Sequence, residues 1–178
     1  MADISCNDPG RSFARSGILA SAGGAGAEVL DARQIKMAPA SLPGLLAGLE
    51  VAAPLFDVDK VINVPVAKHH GWSRATLGMK NWFGVLRRGR DRLHQDLNSI
   101  ADLGATFRPT LTVIDATRVL LANGPTGGSL SDVRSVGAVL VGLDPVPCDA
   151  WGAAQLDVEP ARSGSSSRPS GGAWASPT

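Results

Sequence analysis

Two continuous apolar runs, residues 110–117 (TLTVIDAT) and 137–144 (GAVLVGLD), constrain the fold of this chain more than any other feature. They are rich in β-branched residues and lack the polar alternation of a half-exposed strand, which predicts strands buried in a sheet. Residues 59–65 (DKVINVP) predict a further strand that proline ends. Because helical patterns alternate with these runs, the sequence predicts an α/β fold with a mostly parallel or mixed sheet and helices on both faces.

The predicted helices rest on apolar residues at helical spacing and on end signals. Residues 12–22, 91–103 and 145–156 fit this pattern, and the second segment fits it best. Gly23 ends the first helix, and Pro145 opens the last one, where its missing amide proton costs nothing. Helices and strands therefore alternate along most of the chain.

Composition limits the classes of protein to which the chain can belong. It has 178 residues, 44% of them hydrophobic and 19% charged, with a formal net charge of +1. We expect one globular domain over residues 1–160, with no bulk electrostatic attraction to nucleic acid or membrane. No apolar run reaches the roughly 18 residues that span a bilayer. The N-terminus lacks the apolar core of a signal peptide, so we expect a cytoplasmic chain.

The composition changes abruptly near Arg162, where the segment becomes rich in serine, glycine and proline. We interpret residues 161–178 as a disordered tail. A shift of reading frame is one hypothesis for its origin.

Polar side chains cluster where the predicted strands end, at residues 68–70, 115–123 and 144–149. In open α/β sheets, ligands bind beyond the carboxyl ends of the strands. The clusters therefore predict one ligand site.

The strongest candidates for this site lie in the segment that follows the predicted strand 59–65. Lys68, Lys80 and Asn81 supply cationic and carboxamide groups that bind a carboxylate or phosphate. His70 is the candidate general acid or base, and with Lys80 forms the candidate catalytic pair. The alternative is a solvated basic loop in which His69 and His70 are simply exposed.

Further candidates surround this group. His94 lies near the edge of the apolar face of the predicted helix 91–103, either on its surface or in the site. Gly124 belongs to a glycine-rich loop whose amides can cradle an anion, although a tight surface loop explains it equally. The arginine run at residues 87–92 either is solvated or clamps an anion.

Carboxylates near the strand ends allow two roles. Asp115 and Asp149 can hold a cation or orient the lysines, and Asp115 can equally cap the segment that follows it. Asp144 directly precedes Pro145 and is predicted to be the N-cap of the last helix.

The chain has two cysteines, Cys6 and Cys148, and neither belongs to a C-x-x-C pair. An iron–sulfur cluster needs about four thiolates, and a structural zinc site about four ligands. We therefore expect no metal and no cofactor to be held by this chain alone.

Four ordered segments resemble one known family: residues 6–18 (CNDPGRSFARSGI), 62–84 (INVPVAKHHGWSRATLGMKNWFG), 112–128 (TVIDATRVLLANGPTGG) and 137–153 (GAVLVGLDPVPCDAWGA). The family is DUF362, and the resemblance covers about residues 3 to 160. The positions that match its motifs are Lys68, His70, Lys80, Asn81, Gly84, His94, Asp115, Gly124, Pro125, Asp144 and Asp149.

The resemblance implies a family whose function is not generally established. Many members carry a separate ferredoxin-type segment with two four-iron clusters, and the ligands for these are missing here. Members usually have an additional N-terminal strand–helix portion, so the resemblance also implies an incomplete domain.

Two functional interpretations remain. The first is an enzyme domain that acts on a small anionic substrate, with oxidoreductase chemistry as one alternative. The second is a non-catalytic module that docks on an electron-transfer, iron–sulfur partner through its arginine run.

Overall fold

The structure is a computed structural model that describes residues 1–3, 7–88 and 90–159. The α-helices in these ranges are α1 (Pro9–Arg15), α2 (Ile18–Gly24), α3 (Gly78–Asn81), α4 (Asn98–Thr106) and α5 (Pro145–Gln155). The strands are β1 (Ala2–Asp3), β2 (Leu30–Asp31), β3 (Met37–Pro39), β4 (Glu50–Ala52), β5 (Ile62–Asn63), β6 (Val66–His70), β7 (Arg74–Thr76), β8 (Leu86–Arg87), β9 (Leu111–Leu120) and β10 (Val133–Gly142). No helix in the described ranges has the length and apolar character needed to cross a bilayer.

The main sheet has the strand order β10-β9-β6-β7, and β5 also pairs with β9. Both β5 and β6 run parallel to β9, whereas β10 and β7 run antiparallel to their neighbours. The predicted α/β fold with a mixed sheet is therefore confirmed. A smaller antiparallel sheet contains β3, β4 and β8.

Helix α5 covers one face of the main sheet. Asp144 is its N-cap, as predicted, because its carboxylate accepts a 2.9 Å hydrogen bond from the amide of Val146. The apolar cluster beneath the helix consists of Ala67, Leu77, Ile114, Ala116, Val119, Cys148, Ala153 and Leu156. The opposite face of the sheet exposes apolar side chains, among them Val139 (55%) and Val141 (56%).

A second apolar cluster lies between α4 and the smaller sheet. Its buried members are Leu46, Leu49, Val51, Trp82, Phe83, Leu86, Leu93, Leu103 and Phe107. Trp82 stacks on Phe107 with ring centroids 5.0 Å apart. This cluster anchors the segment Trp82–Val85, a 3₁₀ turn that directly follows α3.

The predicted strands 110–117 and 137–144 and the predicted helix 145–156 are confirmed as β9, β10 and α5. The predicted strand 59–65 was wrong in extent, because only β5 (Ile62–Asn63) forms there. The chain pairs again in β6, between β9 and β7. Pairing on both sides holds a polar segment in a strand against its weak local preference.

The predicted helix 91–103 was also wrong in its bounds, because a 3₁₀ helix (Arg90–Gln95) and α4 replace it. The carboxylate of Asp96 accepts a 2.9 Å hydrogen bond from the amide of Asn98, a local bond that competes with continued helix. The predicted helix 12–22 divides into α1 and α2 at Gly17, whose φ of +76° is left-handed. The predicted tail, residues 161–178, lies outside the described residues.

Candidate functional site

The hairpin formed by β6 and β7 carries the first group of candidate residues. Lys68 pairs with Thr76 and His70 with Arg74, so Lys68 and His70 lie within a strand rather than in the predicted loop. His70 Nδ1 accepts hydrogen bonds from the turn amides of Trp72 (3.3 Å) and Ser73 (3.4 Å). The turn therefore fixes the orientation of the imidazole.

Helix α3 carries the second group, Lys80 and Asn81, and α5 positions it. The carboxylate of Asp149 accepts hydrogen bonds from the amides of Gly78 (2.6 Å) and Met79 (2.9 Å), at the first residues of α3. Burial raises the pKa of Asp149 to about 6, against the lowering effect of the Met79 and Gly78 amides. Asp149 thus orients the segment that bears Lys80.

Asparagine side chains connect both ends of α3 to β5. The Asn81 amide donates a 2.8 Å hydrogen bond to Asn63 Oδ1, and the Asn63 amide donates one of 2.8 Å to the carbonyl of Gly78. Asn63 is itself buried in β5. These bonds tie α3 to the main sheet and give Asn81 a positioning role.

The basic side chains converge on His70. Its pKa is lowered to about 4, first by burial and then by the charges of Lys80, His94, His69 and Lys68. These neighbours are all basic, and with the stacked rings of His70 and His94 they bring Lys68, His70, Lys80 and His94 near one another from three separate segments. At neutral pH the His70 imidazole is uncharged, and since Nδ1 accepts hydrogen bonds, its proton lies on Nε2.

Aromatic rings contact the basic group, which comprises Lys68, His70, Lys80 and His94. His94 stacks parallel to His70 with ring centroids 5.8 Å apart and tilts against Phe83 at 4.7 Å. The ammonium nitrogen of Lys80 lies 4.1 Å above the centre of the Phe83 ring, and Lys80 is only 5% exposed. A cation–π contact stabilises an ammonium group where water cannot.

The loop around Gly124 closes one side of the site. The amide of Gly124 donates to His69 Nδ1 (3.0 Å), and its carbonyl accepts from the amide of Gly71 (3.2 Å). A Cβ at Gly124 would lie 1.8 Å from the carbonyl oxygen of His69, so only glycine fits.

The amides further along this loop bind the protein itself. Asp132 accepts hydrogen bonds from the amides of Gly128 and Ser129 and from the side chain of Asn123. The loop thus supports the strand that carries His69 and His70, and these amides do not cradle an anion.

The carboxylate of Asp115 is engaged by a residue of its own strand. It sits in the middle of β9, between the fully buried Ile114 and Ala116, so strand alternation directs it away from α5. Its carboxylate accepts hydrogen bonds from the amide (2.8 Å) and the hydroxyl (2.7 Å) of Thr117. Asp115 thus bonds within its own strand, and its paired residue on β6 is Val66, two residues before Lys68.

The arginine run is engaged within the chain. Arg87 donates to the carbonyl of Ala32, Arg92 donates to the carbonyl of Ala47, and Arg88 forms a 3.1 Å ion pair with Glu50. These guanidinium groups hold the smaller sheet to neighbouring loops.

No group of three or more His, Cys, Asp or Glu side chains in the described ranges is arranged to hold a metal ion. Cys148, the one cysteine in those ranges, is free and buried, and burial raises the pKa of its thiol. The iron–sulfur clusters that the family resemblance implies do not fit these residues, because a single buried thiol cannot ligate a cluster.

Sequence analysis did not identify Trp72 as part of the site. Trp72 is 66% exposed and contacts His94 edge-on at 6.1 Å, whereas Trp82 is 4% exposed and belongs to the core. The signal that distinguishes them is the position of Trp72 in the turn after the two histidines.

Comparison with known proteins gives one match. The family model described as "Domain of unknown function (DUF362)" matches residues 1–154. No curated protein and no solved structure matches the chain.

Proposed function

The chain belongs to the DUF362 family, and we propose that it is an enzyme domain that binds a small anionic substrate beside Lys68, His70 and Lys80. The observation that carries this proposal is the convergence of basic side chains from three segments on one half-buried imidazole, on which His94 stacks at 5.8 Å. Gathering like charges costs free energy. A carboxylate or phosphate bound among them offsets that cost.

The lysines supply the charge that attracts the anion. Lys80 is nearly buried, and an ion pair gains strength where water is excluded and the effective dielectric constant falls. Lys68 lies on β6, and its charge lowers the pKa of His70, as the charge of Lys80 does. A planar carboxylate or a phosphate between them meets donors from two directions.

His70 supplies a neutral hydrogen-bond donor. With Nδ1 accepting from the turn amides, Nε2–H is the group available to a substrate oxygen. A donor held in place where negative charge develops lowers the barrier of the step that creates the charge. This role requires an uncharged imidazole at neutral pH, which agrees with a pKa of about 4 for His70.

The alternative function, a module that docks on an iron–sulfur partner through the arginine run, has less support. Arg87 and Arg92 bind backbone carbonyls of the chain itself, which occupies donors that such docking needs. The basic group around His70 serves small anions better than a broad protein surface, because Lys80 is buried.

Calorimetric titration with inorganic phosphate and with oxalate tests the proposal. Lys80→Met keeps the apolar stem and removes the charge, and Lys60→Met, at an exposed position, is the matched control. We expect millimolar or tighter binding that weakens at least tenfold in Lys80→Met and is unchanged in Lys60→Met. Equal binding by both variants, or no binding of either anion by the unaltered chain, contradicts the proposal.

A further inference from the structure

We infer that Trp72 makes the site selective for anions that carry an aromatic or other planar ring, with the indole as the surface on which the ring stacks. The inference rests on the proposed anion site and names the class of substrate that it takes. Trp72 is an aromatic side chain with 66% of its surface exposed, directly beside the basic group.

The position of Trp72 is determined by the site itself. Its backbone amide donates to His70 Nδ1 at 3.3 Å, and its ring meets the ring of His94 at 88° with centroids 6.1 Å apart. His94 in turn stacks on His70 at 5.8 Å. The ring of His94 thus lies between the indole of Trp72 and the imidazole of His70, the proposed hydrogen-bond donor to the anion.

The exposure of Trp72 leaves a ring face for a ligand. An indole with both faces covered cannot expose two thirds of its surface, so at least one face is open. Single exposed apolar residues are common on protein surfaces. This one differs because its ring also contacts the ring of His94, so that stacking costs less side-chain entropy than it would at an isolated side chain.

The distances fit a small ring-bearing anion. We place the substituent of a carboxylate or phosphate on His70 Nε2 on the solvent side, because Lys80 is 5% exposed and Trp72 is 66% exposed. A benzene ring or a nucleobase spans the separation of about 6 Å between neighbouring ring centroids at the site. Aromatic rings prefer such offset or edge contacts to water, and every planar ring offers a face for them.

Paired ligands of equal charge test the inference by calorimetric titration. The pairs are phenyl phosphate with methyl phosphate, and benzoate with cyclohexanecarboxylate. We expect the aromatic member of each pair to bind about five- to tenfold more tightly. In Trp72→Leu this advantage disappears, whereas Trp72→Phe keeps most of it. Leu130→Ala, which alters a side chain that is 90% exposed elsewhere, leaves it unchanged.

The outcomes separate this inference from the proposed function. If methyl phosphate binds but phenyl phosphate gains nothing, or if the aromatic advantage survives Trp72→Leu, the stacking role is overturned and the anion site stands. If none of the four anions binds, both are overturned. Thermal unfolding of each variant verifies that it is folded, which the exposure of residue 72 favours.

Discussion

Asp149 in α5 accepts a 2.6 Å hydrogen bond from the amide of Gly78 in α3, across 71 positions of sequence. The contact is buried, and a Cβ at Gly78 would lie 2.8 Å from the same carboxylate oxygen. Lys80 follows two residues later. The helix that covers the sheet therefore also determines where the buried cation of the site lies.

Asp149→Asn tests this contact through the pH dependence of stability. The folded-state pKa of Asp149 is raised from 3.8 to about 6, so its contribution is fully present below pH 4 and is lost as the pH rises through 6. The loss is about 3 kcal/mol, from about two pKa units at 1.36 kcal/mol each. We expect urea unfolding of the unaltered chain to show this loss between pH 4 and pH 7.5, and the variant to lack it. Parallel pH profiles for the two proteins would refute the assignment.

The basic side chains around His70 predict that its imidazole titrates at an unusually low pH. Burial and the neighbouring Lys80, His94, His69 and Lys68 hold the pKa of His70 near 4, so its neutral form persists in the folded protein. Its contribution to stability is full above the unfolded pKa of about 6.5 and falls as the pH drops through 4. In Lys80→Met the loss of a positive neighbour raises this pKa.

Proton NMR of the imidazole signals measures the shift. The chain has three histidines, so His70→Gln identifies the signal in question. Lys60→Met should leave the titration unchanged. A His70 signal that titrates near 6.5 in the unaltered chain would contradict the convergence of charge.

Gly124→Ala should disrupt the loop that supports His69. The new Cβ would lie 1.8 Å from a backbone carbonyl oxygen, which forces the loop away from β6. We expect a loss of about 2 kcal/mol or more in the free energy of unfolding. Gly128→Ala is the control in the same loop, since its Cβ would meet only ordinary contacts at 3.6 Å. Equal unfolding midpoints in urea would show that the close approach has no consequence.

The two faces of the main sheet should respond differently to truncation. Ile114 is fully buried beneath α5, so Ile114→Ala should cost about 2–5 kcal/mol through lost burial and the cavity left behind. Val141 is 56% exposed on the opposite face, and Val141→Ala should cost less than about 1 kcal/mol. Chemical denaturation measures both, and similar losses would mean that the second face is covered in solution.

Local sequence patterns predicted the elements whose apolar runs are continuous, although alternate residues of β10 are exposed in the structure. The runs at 110–117 and 137–144 became β9 and β10, and Asp144 followed by Pro145 began α5. These predictions hold because apolar burial and helix capping act over a few residues. The bounds of β6 and α4 were missed, because pairing with β9 and β7 and the side chain of Asp96 decided them.

The sequence by itself determined which chemical groups are present: lysines, histidines and a glycine that admits no side chain, in an order that matches one family. The tertiary structure alone decided which of them meet. Pairing of β6 with β7 and the contact from Asp149 to α3 bring Lys68, His70 and Lys80 near one another, whereas Asp115 bonds to Thr117 within β9. The physical reason is that charge and hydrogen bonding act through space, and residues far apart in sequence become neighbours only when the sheet and its helix pack.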